Sequence, residues 1–257
     1  TLPDSIQQGD SVYFLAWTTT PWTLPSNTAL TVNPKIKYAL VSSFNQYTKK
    51  PIHVILAKDL VSKVFLGPFI QVENESMLKL SSKQTSKIPY YLKKTFNGTE
   101  LIGIKYEQLW NEAPLPFENA ENAFRVIGGD FVTTEDGTGI VHTAPTFGAD
   151  DAKAAKEAIP EVPPMLIYDE NQQLVPLVDL QGKFRPELGS LGGKYVKNEY
   201  YSSNDKVPER SVDVEIAIKL KEENKAFKVE KYVHSYPNCW RTDKPILYYP
   251  LDSWFIK

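Results

Sequence analysis

The sequence predicts a mixed α/β domain in which short strands outnumber helices. Nineteen prolines and thirteen glycines are scattered through 257 residues, so turns cut the chain into many short elements. Runs rich in β-branched and aromatic residues recur along it, and such residues favour strands. At 42% hydrophobic and 23% charged, the chain can bury a proper core and lacks the composition of a disordered one. The length suits one large domain or two small ones, and we read 1–257 as one.

Residues 11–17, SVYFLAW, read as a buried strand. It runs into TTTPWTLPSN, where two prolines forbid regular pairing, so a loop is expected there. Residues 37–43 and 53–57 read as further strands, and DLVSKVF from Asp59 as a short capped helix. ELIGIKYEQLW, residues 100–110, has no clear period. Residues 131–134 and 140–143 look like two strands of a hairpin, turned by Glu135-Asp136-Gly137. Residues 149–159 are alanine-rich, acidic at the start and stopped by Pro160, a helix pattern. A second helix is expected over 212–227, and the aromatic tail from residue 231 reads as strand-like.

Composition also narrows function. A net charge of −2 and a pI near 6.0 create no global basic field, so any contact with RNA requires a local patch. The single cysteine, Cys239, cannot form an internal disulfide, which fits a reducing cytoplasmic setting. No apolar run approaches the ~18 residues of a membrane span, so no membrane partner is expected. TLPDSIQQGD at the start lacks the pattern of a signal peptide. A chain starting at Thr1 suggests a piece of something longer.

Two constellations can carry chemistry. In the first, Thr18, Thr19, Thr20 and Thr23 crowd a strand exit together with Trp22 and Asn27. Hydroxyls both donate and accept, so the cluster can hold a water or a sugar hydroxyl; equally, it suits a polar strand end. The second is GTGIVHTAPTFGADD, residues 137–151. His142 falls on a strand, and Asp150 and Asp151 fall at the start of the expected helix, where the dipole favours an ionised carboxylate. That pair suits either holding a cation or capping the helix, and a lone histidine is also a common core residue.

Several standard chemistries are absent. There is no G-x-S-x-G, C-x-x-C, H-E-x-x-H or glycine-rich phosphate loop, and neither a metal site nor a cofactor is expected. His234 and Cys239 have no activating partner in HSYPNCW, which favours a structural role for the cysteine.

WTTTPWTLPSNTAL (residues 17–30) resembles the threonine-rich region of the editing insertion, connective peptide 1, of isoleucyl-tRNA synthetases. GTGIVHTAPTFGADD resembles the second editing motif of that family, with His142 and Asp151 at matching positions. GTELIGIKYEQLW is similar to its connecting motif, and residues 234–257 to the segment that returns to the catalytic body. Valyl and leucyl enzymes usually carry T-T-R-P in the first motif, whereas this chain has threonine at position 20. The signatures of the synthetic site, H-I-G-H and K-M-S-K-S, are missing.

The resemblance implies a mixed α/β fold with a β-barrel-like core and peripheral helices. It implies hydrolysis of valine mischarged on isoleucine-specific tRNA, with the tRNA 3′ end and the rest of the synthetase as partners. A pocket for isoleucine excludes valine by only ~1–3 kcal/mol, the standard example of a selection that needs a second sieve. Asp151 is expected to hold the α-ammonium. Thr18, Thr19, Thr20 and Asn27 are expected to position the adenosine, the ester and water, and His142, Thr20 and Trp22 to shape the side-chain pocket. Thr23, Asp150 and the backbone at Gly137 complete the expected set. Lys219, Lys221, Lys225, Lys228 and Lys231 are candidates for a basic path, or simply for a solvated helix face. The rival readings are a valyl or leucyl editing domain or a free-standing deacylase, a non-catalytic tRNA-binding or structural insertion, and a metal site on His142, Asp150 and Asp151.

Overall fold

The computed structural model describes residues 11–80, 87–231 and 236–251. Its elements, in chain order, are β1 (Val12–Phe14), β2 (Ala29–Val32), β3 (Lys37–Phe44), β4 (Pro51–Ala57), α1 (Val61–Val64) and β5 (Phe69–Gln71). These are followed by β6 (Ile88–Asn97), α2 (Gly98–Leu101), β7 (Arg125–Gly128), β8 (Ile140–Thr143) and α3 (Ala149–Glu157). The last are β9 (Leu166–Tyr168), β10 (Leu174–Pro176) and α4 (Val212–Glu222).

The strands form a five-stranded sheet in the order β1-β4-β3-β6-β5, a three-stranded sheet β7-β2-β8, and a β9–β10 hairpin. The mixed α/β expectation holds, but none of these sheets closes into a barrel by strand pairing among the described residues. Strand β3 is central because both its faces are apolar. Tyr38 and Leu40 enter one core with Ile55, Leu60 and Phe96. Ala39 and Val41, pointing the other way, enter a second core with Val54, Phe65 and Phe69. A third core, around Trp110, Met165, Leu177 and Ile216, packs the irregular 105–227 region.

The two larger sheets meet at a seam. Ala57 N donates to Thr138 O at 2.8 Å, and Trp17 N donates to Ile140 O at 3.3 Å. Tyr38 reaches the same place, its hydroxyl donating to Gly139 O at 2.8 Å and accepting from Asn33 N. Burial pushes that phenol up to about 12. Gly139 makes the contact possible: its φ is +71°, and a Cβ there would lie 2.4 Å from Ala57 Cβ.

Several expectations need correction. Residues 131–134 form no strand, so the hairpin turned at Asp136-Gly137 does not exist. Strand β8 instead pairs antiparallel with β2, whose other neighbour is the parallel β7. The short helix near Asp59 begins as a 3₁₀ turn, Lys58–Leu60, and has no side-chain cap. Helix α4 stops at Glu222 because Asn224 adopts φ +61°, the left-handed end of a helix, and Phe227 turns into a core. The tail expectation falls partly outside the described residues, as does His234. Residues 236–251 contain only the isolated bridge Asn238–Pro245, not a strand. No described helix is long and apolar enough to cross a membrane.

The seam sets a test. Gly139→Ala should lower unfolding free energy by about 2 kcal/mol or more, through the left-handed backbone and the Ala57 clash. Urea unfolding reads the loss, and a variant as stable as the parent would remove Gly139 from this role.

Candidate functional site

The threonine segment is a 3₁₀ turn, Pro21–Ser26, rather than an open loop. Pro21 occupies its first position, where a missing N–H costs nothing, and it keeps the preceding Thr20 out of the helical region. Thr20 N donates to Thr18 Oγ1 at 3.0 Å, and the two hydroxyls lie 3.4 Å apart. Thr23 Oγ1 donates to Thr20 O at 2.9 Å. The turn is pinned from outside the motif: Trp22 N donates to Asp213 Oδ1 at 2.9 Å, and Lys197 Nζ pairs with the other carboxylate oxygen at 3.4 Å. Burial raises the Asp213 carboxyl, opposed by Lys197 and the Trp22 N–H. The Trp22 ring is buried edge-on against Phe147, with centroids 5.1 Å apart.

His142 stands on β8 opposite Leu30 and is buried. Its Nδ1 lies 2.8 Å from Asn27 Nδ2, and its Nε2 lies 2.9 Å from Thr23 Oγ1. Asn27 Nδ2 also faces two carbonyls, Ala29 O at 2.7 Å and Thr143 O at 3.2 Å. Carbonyls only accept, so the nitrogen of the amide must face them, and Nδ1 must be an acceptor. The Thr23 hydrogen is spent on Thr20 O, so Thr23 Oγ1 accepts from His142 Nε2–H. Both ring nitrogens are thus engaged. Burial lowers the imidazole to about 4, keeping it neutral near pH 7.

Asp151 sits in the first turn of α3 without capping it; its Oδ2 instead accepts from Ala144 N at 2.8 Å, two residues past His142. The absence of a side chain at Gly148 permits this fold-back, since a Cβ would lie 3.0 Å from Asp151 Cγ. Burial raises the carboxyl above the usual aspartate value; the Ala144 N–H opposes this and the Asp150 charge adds to it. The ion pairs among the described residues do not include Asp151. A half-buried anion without a counter-charge suits a cationic ligand group.

Hydrogen bonds thus join Thr18, Thr20, Thr23, Asn27 and His142, and Asp151 is tied to the end of the same strand. Thr19, half-buried, lies between the first two in sequence. Two expected residues stand apart. Asp150 is exposed, and a side chain at Gly137 would meet the Trp17 indole at 3.0 Å. Among the described residues, no three His, Cys, Asp or Glu side chains are grouped to hold a metal.

A cleft of about 880 Å³ opens beside this network, with Asn27, His142, Tyr106, Phe14 and Leu24 in its walls. Sequence reasoning did not single out Tyr106 or Asp213. Tyr106 lies in a stretch without period, and Asp213 lies in the first turn of α4, where acidic residues are common. The expected lysine path is largely neutralised. Lys219 pairs with Glu112 and Glu223, Lys225 with Glu223, and Lys228 with Glu230, while Lys221 lies over the Tyr47 ring.

The histidine carries a pH consequence. Its folded value lies below the ordinary one, so its contribution to stability is complete above about pH 6.5 and is lost as pH falls toward about 4. Between those limits the folded chain should lose on the order of 3 kcal/mol relative to His142→Gln, measured by urea unfolding at both ends. Parallel pH profiles for the two proteins would contradict a buried neutral imidazole.

No protein-family model matches the chain. It is 53% identical over 258 residues to isoleucine–tRNA ligase of Cytophaga hutchinsonii, covering 96% of this chain and 22% of that protein. The Bacteroides fragilis protein of the same name is 49% identical, over 99% of this chain and 23% of its own. That of Clostridium novyi is 39% identical, over 96% and 18%. The chain therefore spans about a fifth of the length of the curated relatives it matches. Among solved structures it is similar to the editing domain of P. knowlesi cytosolic leucyl-tRNA synthetase, with TM-score 0.42 and 18% identity over 59% of this chain and 52% of that one. The chain belongs to the isoleucine–tRNA ligase family, as the counterpart of one segment of its much longer members.

Proposed function

We propose that this chain is the editing domain of an isoleucyl-tRNA synthetase and hydrolyses valine from mischarged isoleucine-specific tRNA in the cytoplasm. The observation that carries the reading is the half-buried Asp151 carboxylate, held beside the threonine–histidine network in a chain of this family. An aminoacyl ester bears an α-ammonium, and Asp151 supplies the charge-assisted partner that orients it.

The attacking group is water. Its oxygen adds to the ester carbonyl, the bond to the ribose oxygen breaks, and that oxygen leaves with a proton. Thr18 Oγ1 already accepts from Thr20 N, so its own hydrogen is available to the ribose or to the water. His142 is no general base in this arrangement, because its one acceptor nitrogen is taken by Asn27. It acts as a wall and as an anchor for Thr23. Rate then comes mainly from positioning. Trp22 is buried against Phe147 in a core, so it supports the threonine turn rather than lining the cleft, and the pocket has one methylene by which to separate valine from isoleucine. With Lys219, Lys225 and Lys228 in ion pairs, contact with the tRNA end rests on the threonine turn and the cleft rather than on a basic helix face.

Deacylation of valyl- and isoleucyl-tRNA, both on isoleucine-specific tRNA, tests this. The chain should clear valine only, and Asp151→Ala should lose about 100-fold or more in rate. Because burial raises the Asp151 carboxyl, ammonium capture should fade on acidification at a higher pH than for an exposed aspartate. Clearance of threonine from valine-specific tRNA would mark a valyl enzyme, and full activity of Asp151→Ala would refute the site.

A further inference from the structure

We infer that Asp213 is a positioning residue for this site: its carboxylate bridges the Trp22 N–H and the Lys197 ammonium, and so fixes where the threonine turn presents Thr18 and Thr20. The activity arm of the test rests on the function proposed above; the bridge itself does not.

The turn has one backbone donor that it cannot satisfy itself, because the first N–H groups of a helical turn have no partner within it. Pro21, at the first position, has no N–H to offer, and Thr23 N donates back to Thr20 O at 3.0 Å. Trp22 N lies between them in a buried residue, and no side chain caps the turn from Thr20. That donor goes to Asp213 Oδ1 at 2.9 Å, from a residue 191 positions away in sequence. Only Pro21, whose ring fixes φ, stands between Trp22 and Thr20. A displacement of Trp22 N is therefore passed on to Thr20. The carbonyl of Thr20 accepts from Thr23 N and Thr23 Oγ1, and its N–H donates to Thr18 Oγ1.

Both partners of the bridge are themselves held. Asp213 stands in the first turn of α4, yet its oxygens face Trp22 N and Lys197 rather than the N–H groups of its own helix. Val212, Ile216 and Leu220 bury that helix in the core that contains Trp22 and Trp110. Beyond its far end, Asn45 Nδ2 donates to Ala226 O at 2.9 Å and Gln46 Nε2 donates to Phe227 O at 2.8 Å. Lys194, three residues before Lys197, pairs with Glu215 of the same helix at 2.5 Å. The Lys197 ammonium lies over the Tyr236 ring, 4.9 Å from its centroid.

The two donors select the side chain. The Trp22 N–H and the lysine ammonium can only donate, and each meets a different oxygen, Oδ1 at 2.9 Å and Oδ2 at 3.4 Å. A carboxylate accepts at both. An amide accepts at one, so asparagine here would set its NH2 against either the ammonium or the Trp22 N–H.

A residue that merely supported the fold would give variants that lose stability but keep kcat once folded. Amide hydrogen exchange and deacylation kinetics on the same folded samples separate the two roles. In Asp213→Ala the Trp22 amide should exchange about tenfold faster or more, while the Leu40 and Val41 amides of β3 stay as in the parent. Deacylation kcat should fall about tenfold, with KM changed by less than about twofold. Asp213→Asn should lose as much, because one donor is then opposed. Adding Lys197→Met to Asp213→Asn removes the opposed donor and should restore the Trp22 protection and most of kcat. Should Asp213→Ala fail to fold, the asparagine variant and its double carry the test. The same exchange pattern in a chain that deacylates nothing would uphold the bridge and refute the editing function. Unchanged Trp22 protection or unchanged kcat in the folded single variants, or a double variant no better than Asp213→Asn, would overturn the inference.

Discussion

A buried imidazole must have both ring nitrogens satisfied, and the site is arranged around that demand. His142 is 7% exposed, so water cannot serve it freely, and both its partners come from one segment of the chain distant from it. Thr23 lies inside a proline-started 3₁₀ turn, and Asn27 directly follows that turn. The antiparallel pairing of β8 with β2 brings the imidazole within reach of both. Losing that pairing would leave both nitrogens of the buried imidazole without their partners, a cost larger than that of one hydrogen bond.

Committed backbone groups also explain why strain is tolerated nearby. Phe124 at φ +54° costs about 1–3 kcal/mol, and it persists because both of its backbone groups are committed, to Thr28 on one side and Tyr106 on the other. The seam at Gly139 works similarly, with Tyr38 and Ala57 bonded across it from the larger sheet. The two sheets remain separate in pairing yet share a corner, and the threonine turn leaves from that corner through Trp17.

Charge acts locally in this acidic chain. The lysines from 219 to 231, in and after α4, look like a patch when read along the sequence, but Glu112, Glu223 and Glu230 neutralise Lys219, Lys225 and Lys228. Exposed pairs of this kind contribute little to stability; their effect is to remove a basic face. Glu223 joins Lys219 and Lys225, and Glu112 is held down to about 2 by Lys219 and by Ser190. Asp151 is the contrasting case, an anion half removed from water with a backbone N–H and no paired cation among the described residues.

The sequence by itself determined the local and compositional features: the strands around 37–43 and 53–57, the helix that begins at Ala149, and the mixed class. It also held the motif residues in which Thr18, Thr20, Asn27, His142 and Asp151 stand. These were legible because propensity, proline placement and motif spacing act over short stretches. It did not reveal that residues 125–128, rather than 131–134, form a strand, since both runs are apolar and only pairing with β2 selects between them. Nor did it reveal Tyr106, whose stretch has no period because its backbone bonds to β7 rather than to its own neighbours. The tertiary structure alone decided the direction of the hydrogen bonds through His142. That direction follows from two backbone carbonyls, Ala29 O and Thr143 O, that face one amide, groups that become neighbours only when the chain is folded.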